Sequence, residues 1–362
     1  MTPLEHEIRG MIATDGPIPV AHYMRLALGH PVHGYYMTRD PLGARGDFVT
    51  APEISQMFGE LIGLWAASVW PLMGAPEDVR LVELGPGRGT LMADMLRAVA
   101  VVPAFRATLS AHLVEMSPLL RRQQQERLAG LGVPMDWHTD PAEVPDGPLI
   151  VIANEFFDAL PVHQAVKAAD GWHERMVGLE SGRLAFGLNP DPVRGLDAAL
   201  PPRIRAAPNG AICEWRGDQP LAGIARRLVE FGGVMLVIDY GHSESGVGET
   251  LQAMSQHGYA DPLGAPGEVD LTAHVDFRAL GRTAATAGAR VHGPRTQADF
   301  LRRLGIVERA AHLKQRATTK QAADIDAALA RLTASGEADM GQLFKTLAFS
   351  DPNIETLPGF ER

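Results

Sequence analysis

Residues 79–91, "VRLVELGPGRGTL", constrain the fold more than any other stretch of the chain. A short apolar run ends in an acid, three glycines follow at alternate positions, and the chain then turns apolar again. A strand that ends in glycines before a helix offers backbone without Cβ atoms, and a helix N-terminus beside it favours polar or anionic groups. The same alternation continues downstream. Strands are predicted at 79–84, 110–115, about 133–138, 148–153 and 234–239, with helices after the first two and before the fifth. That is the pattern of an α/β protein with a parallel sheet covered on both faces.

Around this core the sequence predicts additions. Residues 3–14 form an amphipathic helix with Leu4, Ile8 and Met11 or Ile12 on one face, and residues 20–29 form another. From Pro31 to Phe48 the crowding of Gly, Pro and Asp predicts an ordered but irregular loop. "TAPEISQMFGELIGLWAASVW" then reads as one strongly apolar helix, whose start carries Thr50-x-x-Glu53, a capping-box spacing, with Pro52 in its first turn. After the fourth strand, period-two alternation around Glu-Ser-Gly-Arg predicts a β-hairpin near 172–188. A long Gly-rich excursion follows the fifth strand, and such loops in compact domains are usually lids or binding segments. Helices near 274–287 and 297–332 and strands at 289–292 and 343–349 complete the chain, the two strands supplying a seven-stranded sheet. The expected organisation is an N-terminal helical cap and covering loop over 1–78, a core over 79–244 with the hairpin inserted near 160–215, and a lid loop with C-terminal elements over 245–362.

Composition narrows the partners. Thirty-three basic against 43 acidic residues give 33 − 43 = −10, with no long basic block, so a nucleic-acid backbone is a poor partner. Cys213 is the only cysteine, which rules out an internal disulfide or a multi-thiolate metal cluster and fits a reducing compartment. The charged N-terminus lacks a signal core or a mitochondrial-type leader, and no apolar run reaches membrane-spanning length, so a cytoplasmic protein is expected. The thirteen histidines show no metal-ligand spacing, and no metal is expected.

The glycine loop discriminates between two ligands. A dinucleotide fold wants G-x-G-x-x-G/A with an acid about 20 residues on. Here Gly85, Gly87 and Gly89 are spaced G-x-G-x-G, position 90 is Thr, and the acid closing the next strand is Glu115. The arrangement instead resembles the S-adenosyl-L-methionine site of class I methyltransferases. In that reading the glycines admit the aminocarboxypropyl arm, Glu83 accepts from its ammonium group, Glu115 takes both ribose hydroxyls, and Asp140 accepts from the adenine amino group. Asn154, at the end of the fourth strand, joins the cofactor-binding set. A Gly-rich turn can also be no more than a tight turn.

Five stretches carry a more specific resemblance: "GDFVTAPEISQMFGELIG" (46–63), "LVELGPGRGTL" (81–91), "ANEFFDALPV" (153–162), "VIDYGH" (237–242) and "DLTAHVDF" (270–277). Together they resemble the MidA family, whose mitochondrial members are protein arginine methyltransferases that assist assembly of respiratory complex I. The resemblance covers nearly the whole chain. It implies a class I (Rossmann-like) methyltransferase core, S-adenosyl-L-methionine as donor, and an arginine of the 49-kDa-type subunit of complex I as acceptor. A bacterial member can have another target, and the alternative readings are a methyltransferase acting on a small molecule or a cofactor-binding assembly protein with little turnover.

Methyl transfer from a sulfonium is an in-line displacement, so positioning the acceptor is most of the catalysis. An arginine acceptor is a poorly nucleophilic cation, and carboxylates must orient it and accept a proton as the bond forms. "NEFFDALP" offers Glu155 and Asp158 at the carboxyl end of a strand, where open α/β sheets bind ligands. Glu155 is the leading acceptor-binding carboxylate, against a structural ion pair. Asp158 is a second candidate, against a turn cap. Glu53 is a third, against its capping-box role. Asp239, Tyr240 and His242 end the fifth strand, where a base or lid residue could sit, although a histidine there is more often structural. Tyr35 and Tyr36 can pack over the cofactor, line an arginine channel, or merely anchor their loop. The stripe Ile54, Met57, Phe58, Leu61 and Trp65 is core.

Overall fold

The computed structural model describes residues 1–39, 50–255 and 258–362. Residues 40–48 of the expected irregular loop, and the start of the motif at Gly46, lie outside the described residues. The chain packs as two compact units. The larger comprises the described residues of Val49–Phe157, Asp218–Ser243 and Phe277–Arg362, and the smaller those of Met1–Phe48, Asp158–Gly217 and Glu244–Asp276.

The larger unit is built on seven strands: β1 Val79–Leu84, β2 Leu109–Val114, β3 Met135–His138, β4 Leu149–Asn154, β5 Gly233–His242, β6 Arg290–Thr296 and β7 Phe344–Ser350. They hydrogen-bond in the order β6-β7-β5-β4-β1-β2-β3. The pairs β5/β4, β4/β1, β1/β2 and β2/β3 are parallel, and β7 runs antiparallel to β5 and β6, which makes the sheet mixed. Leu81 of β1 stands opposite Ile150 on one side and Ala111 on the other. Strands β1, β4 and β5 are nearly continuous apolar runs because both faces of the sheet are covered. Leu81, Ile150, Ile152, Leu236 and Ile238 are fully buried in the main core.

Chain order reverses between β1 and β4: β2 and β3 extend the sheet on one side, β5 on the other. The carboxyl ends of β1 and β4 therefore mark the switch point of the sheet, the usual ligand position in open α/β sheets.

The helix expected from Thr50 onward is two helices, α1 Ala51–Ile54 and α2 Gln56–Val69. The capping box is absent: the Thr50 side chain makes no cap hydrogen bond. Ser55 is extended, at φ −161° and ψ 136°, and its hydroxyl accepts from the Met57 N–H to start α2 afresh. A side chain that caps its own helix competes with helical continuation, so Ser55 breaks what apolar periodicity alone joins. Helix α2 then crosses α3, Thr90–Ala98, at very short range. A Cβ at Gly59 would lie 2.5 Å from Asp94 Cβ, and one at Gly63 would lie 2.7 Å from Met95 Cα. Helix α4, Pro118–Leu128, follows β2 and is N-capped by the Ser117 hydroxyl. Near the C-terminus the expected helix over 297–332 is three, Gln297–Arg303, Ile306–Lys314 and Thr319–Thr333. Gly305 at φ 87° ends the first, and a Thr318/Gln321 capping box opens the last.

The smaller unit pairs Ile18–Pro19, Gly171–Glu180, His163–Ala168 and Ile212–Trp215 in that order, with Arg183–Pro192 added to Gly171–Glu180. Ser181 and Gly182, at φ 50° and 73°, form the two-residue hairpin turn between Glu180 and Arg183, in the left-handed backbone that matches strand twist. Helices Pro3–Asp15 and Val20–Gly29 contribute Leu4, Ile8, Tyr23 and Met24 to this unit's core. The Arg216 guanidinium donates to the carbonyls of Asp158, Leu160, Ala273 and His274 and ties the unit's segments together. In the Gly-rich excursion, Gln252–Ser255 pairs with Gly258–Ala260 and with Asp270–Thr272. Residues 256 and 257 lie outside the described residues. Among the described residues, no helix is long and apolar enough to cross a membrane.

Candidate active site

The site is built where β1 hands over to α3. Gly85, Gly87 and Gly89 have φ of 62°, 53° and 75°, left-handed values that glycine adopts without strain and that cost other residues energy. The three glycines are thus demanded by the turn itself as well as by any ligand. Gly85 is also crowded, since a Cβ there would lie 3.0 Å from Phe156 Cδ2 in the loop after β4. The topological switch point brings these two loops together.

Glu83 ends β1 with its carboxyl buried, 3 % exposed. Burial holds its pKa well above the ordinary carboxylate range and the nearby Glu115 carboxyl adds to that, against the Met92 N–H in the first turn of α3. Its Oε2 is buried with no hydrogen-bond partner among the described residues. Asn154 Oδ1, at the end of β4, is in the same condition. A buried polar oxygen without a partner carries a desolvation cost that a donor would remove. Two such acceptors flanking a glycine turn fit a ligand with a positively charged or N–H donor end, as the ammonium of S-adenosyl-L-methionine provides.

The second acid, Glu115, follows β2 and is 8 % exposed. Its Oε1 accepts from the Ser117 N–H at 2.8 Å and its Oε2 from Gln124 Nε2 at 3.3 Å. Burial raises its pKa to about 7, opposed by those two donors, the Met116 N–H and the Arg121 charge. A carboxylate has about four lone-pair sites, so two internal donors leave capacity for hydroxyls. Gln124, on α4 and fully buried, is a residue that the sequence reading passed over. A Ser-Pro cap followed by a polar helix gives no sign that one glutamine points inward.

Glu53 and Glu155 meet on one turn of helix. Glu53 Oε1 accepts from the Thr90 hydroxyl, the first residue of α3, at 2.5 Å. Its carboxylate is thus turned onto the helix that follows the glycines and does not cap α1. Glu155 Oε1 accepts from the Ala51 N–H of α1 and from Asn154 Nδ2, each at 3.3 Å. Glu155 itself is left-handed, at φ 50°, a conformation that costs a non-glycine residue energy and persists only when its surroundings enforce it. Asp239, fully buried at the end of β5, supplies the enforcement: its Oδ2 accepts from the N–H groups of Phe156 and Phe157, and its Oδ1 from that of Tyr240. Asp239 thus holds the loop on which Glu155 sits.

Asp140 is exposed two residues beyond β3, and its Oδ1 accepts from the Ala142 N–H of a short 3-10 turn. His242, half-buried, closes β5, and Tyr240 packs on Phe344 in the core. Asp158 belongs to the smaller unit, 5 % exposed, with its carbonyl accepting from the Ala273 N–H. Tyr35 is fully buried in that unit's core, and the Tyr36 hydroxyl donates to Asp270 Oδ1 at 3.0 Å, so both tyrosines anchor the smaller unit.

Comparison with known proteins bears on this geometry. Residues 61–295 match the family described as "Putative S-adenosyl-L-methionine-dependent methyltransferase". The chain is 38 % identical to the mitochondrial protein arginine methyltransferase NDUFAF7 homolog of Drosophila melanogaster, over 95 % of this chain and 84 % of that protein. It is 38 % identical to the mitochondrial protein arginine methyltransferase NDUFAF7 of Homo sapiens, over 84 % of this chain and 74 % of that protein. A crystal structure from Burkholderia thailandensis, solved bound to S-adenosyl-homocysteine, superposes with a TM-score of 0.86 at 30 % identity, covering 99 % of this chain and 94 % of that one.

Proposed function

The chain belongs to the S-adenosyl-L-methionine-dependent methyltransferase family that includes the mitochondrial NDUFAF7 proteins, and from that premise we propose that it methylates an arginine side chain of a protein. The relatives named above are protein arginine methyltransferases. The observation that carries the reading is that the Glu155 carboxylate accepts from the turn Ala51–Ile54, on which Glu53 also sits. Two carboxylates are what a guanidinium needs, because paired acceptors orient its fork and draw its charge away from the attacking nitrogen.

S-adenosyl-L-methionine supplies a methyl group on a sulfonium, ready for in-line displacement. The chain's residues do the rest by position. Gly85, Gly87 and Gly89 keep Cβ atoms away from the ligand arm. Glu83 and Asn154 take its ammonium end, Glu115 its ribose hydroxyls, and Asp140 its adenine amino group through the oxygen not used for the cap. Glu155 orients the acceptor, with Glu53 as its second arm, and a carboxylate of this pair receives the proton released as the nitrogen–carbon bond forms. His242 is assigned to the surroundings of the acceptor. The path of seven strands is assigned to the class I sheet, with insertions after its fourth and fifth strands. The first acceptor to test is the 49-kDa-type subunit of respiratory complex I, and the proposed compartment is the cytoplasm.

The test uses purified protein, methyl-labelled S-adenosyl-L-methionine and that subunit, with mass spectrometry of the product. Label is expected on an arginine. Glu155→Gln keeps size but removes charge, so transfer is expected to fall by a factor on the order of 10²–10⁴ with cofactor affinity nearly unchanged. Glu53→Gln keeps an acceptor for Thr90, so its melting temperature should hold while transfer falls. Full transfer by Glu155→Gln would remove this loop from acceptor capture, and label on a non-arginine side chain would overturn the arginine reading.

A further inference from the structure

Gln124 makes three hydrogen bonds to three different elements. Its Nε2 donates to the Gly87 carbonyl at 2.7 Å and to Glu115 Oε2 at 3.3 Å, and its Oε1 accepts from Trp137 Nε1 at 2.9 Å. Its stem also lies against the glycine turn, since a Cβ on Gly89 would be 3.4 Å from Gln124 Cγ. The side chain is 0 % exposed. Every hydrogen-bonding atom of this amide is therefore assigned, and the Trp137 indole fixes which way round it sits: the oxygen must face the indole N–H, so the nitrogen must face Gly87 and Glu115. An inverted amide would set two N–H donors against each other and leave the Gly87 carbonyl and the Glu115 carboxyl without this donor.

We propose that Gln124 is a positioning residue for the cofactor: oriented by Trp137, it locks the Glu115 carboxylate and the Gly87 carbonyl into one geometry, so that the ribose acid and the glycine turn form a preassembled binding edge. The proposal rests on the reading of Glu115 as the ribose-binding acid. It attributes part of the cofactor affinity to a side chain that touches no ligand atom. Preorganisation acts by removing the cost of ordering the contacting group at the moment of binding. A glutamine is suited to the task because it is neutral. A second acid at this position would repel Glu115, and an aliphatic residue would leave both the Gly87 carbonyl and the Trp137 indole unpaired.

A double-mutant cycle with S-adenosylhomocysteine as the probe, read by calorimetry, separates this role from ordinary packing. Glu115→Ala is expected to weaken binding about 10- to 150-fold, the loss of hydrogen bonds to a charged acceptor. Gln124→Leu should weaken binding about tenfold in the natural background and clearly less when Glu115 is already Ala, because only the Gly87 carbonyl is then left to orient. Trp137→Phe, which removes the indole N–H together with part of the ring, keeps the test open should Gln124→Leu fold poorly: it should show a smaller loss with the same dependence on Glu115. Equal losses from Gln124→Leu, or from Trp137→Phe, in both backgrounds would overturn the proposal and leave the ribose reading standing. An unchanged affinity in Glu115→Ala alone would overturn the ribose reading and the proposal with it.

Discussion

The buried acid at the end of β2 makes cofactor affinity depend on pH in a direction the structure dictates. Burial raises the Glu115 pKa to about 7, so near neutrality the ligand-free protein holds the carboxyl about half protonated. Ribose hydroxyls donate to the ionised form, so the ligand selects it and the proton must leave. Apparent affinity is reduced by the fraction of protein in the wrong protonation state. With a pKa of about 7, that factor is about 11 at pH 6 and about 1.1 at pH 8, so the dissociation constant of S-adenosylhomocysteine should fall about tenfold across this range. Glu83, whose pKa is also raised by burial, pushes the same way because its ionised form is the partner of the ammonium. The Arg121 guanidinium on α4 lowers the Glu115 pKa. His138 on β3 has its pKa lowered by burial.

Calorimetry in two buffers of different ionisation enthalpy checks both the slope and the net proton release. Glu115→Gln should flatten the profile by removing its titration. Folding gives an independent sign check. The folded carboxyl releases its proton near pH 7 and an ordinary glutamate carboxyl near 4.5, so the folded state binds more protons between those values and the ligand-free protein loses stability as pH rises through that window. An affinity that is flat from pH 6 to 8, or that weakens as pH rises, would refute the assignment of Glu115 to the ligand.

Two further predictions concern the backbone. Glu155 is held at φ 50°, so Glu155→Ala should lose the carboxylate and keep the strain, while Glu155→Gly loses both. Glycine should therefore be the more stable of the pair by about 1 kcal/mol in thermal or urea unfolding, the reverse of the order at an ordinary position, and alanine proving more stable would contradict the left-handed assignment. Gly63→Ala should lower the melting temperature, because the new methyl would sit 2.7 Å from Met95 Cα and O. The overpacking cost of about 1–3 kcal/mol outweighs the gain in helix propensity of about 1 kcal/mol, and a stabilised variant would mean that α2 and α3 can separate freely.

What the sequence made legible is whatever local chemistry decides. Alternating apolar runs and helices announce the α/β sheet, glycines spaced G-x-G-x-G announce the turn, and Glu83 and Glu115 are singled out because an acid at a strand's end is a positional signal that needs no partner. Residues whose role depends on distant partners were misread or missed. Thr50 and Glu53 have capping-box spacing, yet the Glu53 oxygen that would serve the cap accepts instead from Thr90, 37 residues away. A hydroxyl brought in by the fold competes with the local backbone, and a spacing rule cannot see it. Asp239 reads as a candidate base because it ends a strand beside a histidine, but its two oxygens are spent on three backbone N–H groups, which makes it the support of a strained glutamate. Gln124 gives no signal at all, since its three partners come from a glycine turn, a strand end and a neighbouring strand that share nothing in sequence. Local rules thus identify atoms suited to touch the ligand. The atoms that hold those in place become visible only when the fold closes: Asp239 fixes the loop that carries Glu155, and Gln124 hydrogen-bonds the buried Glu115.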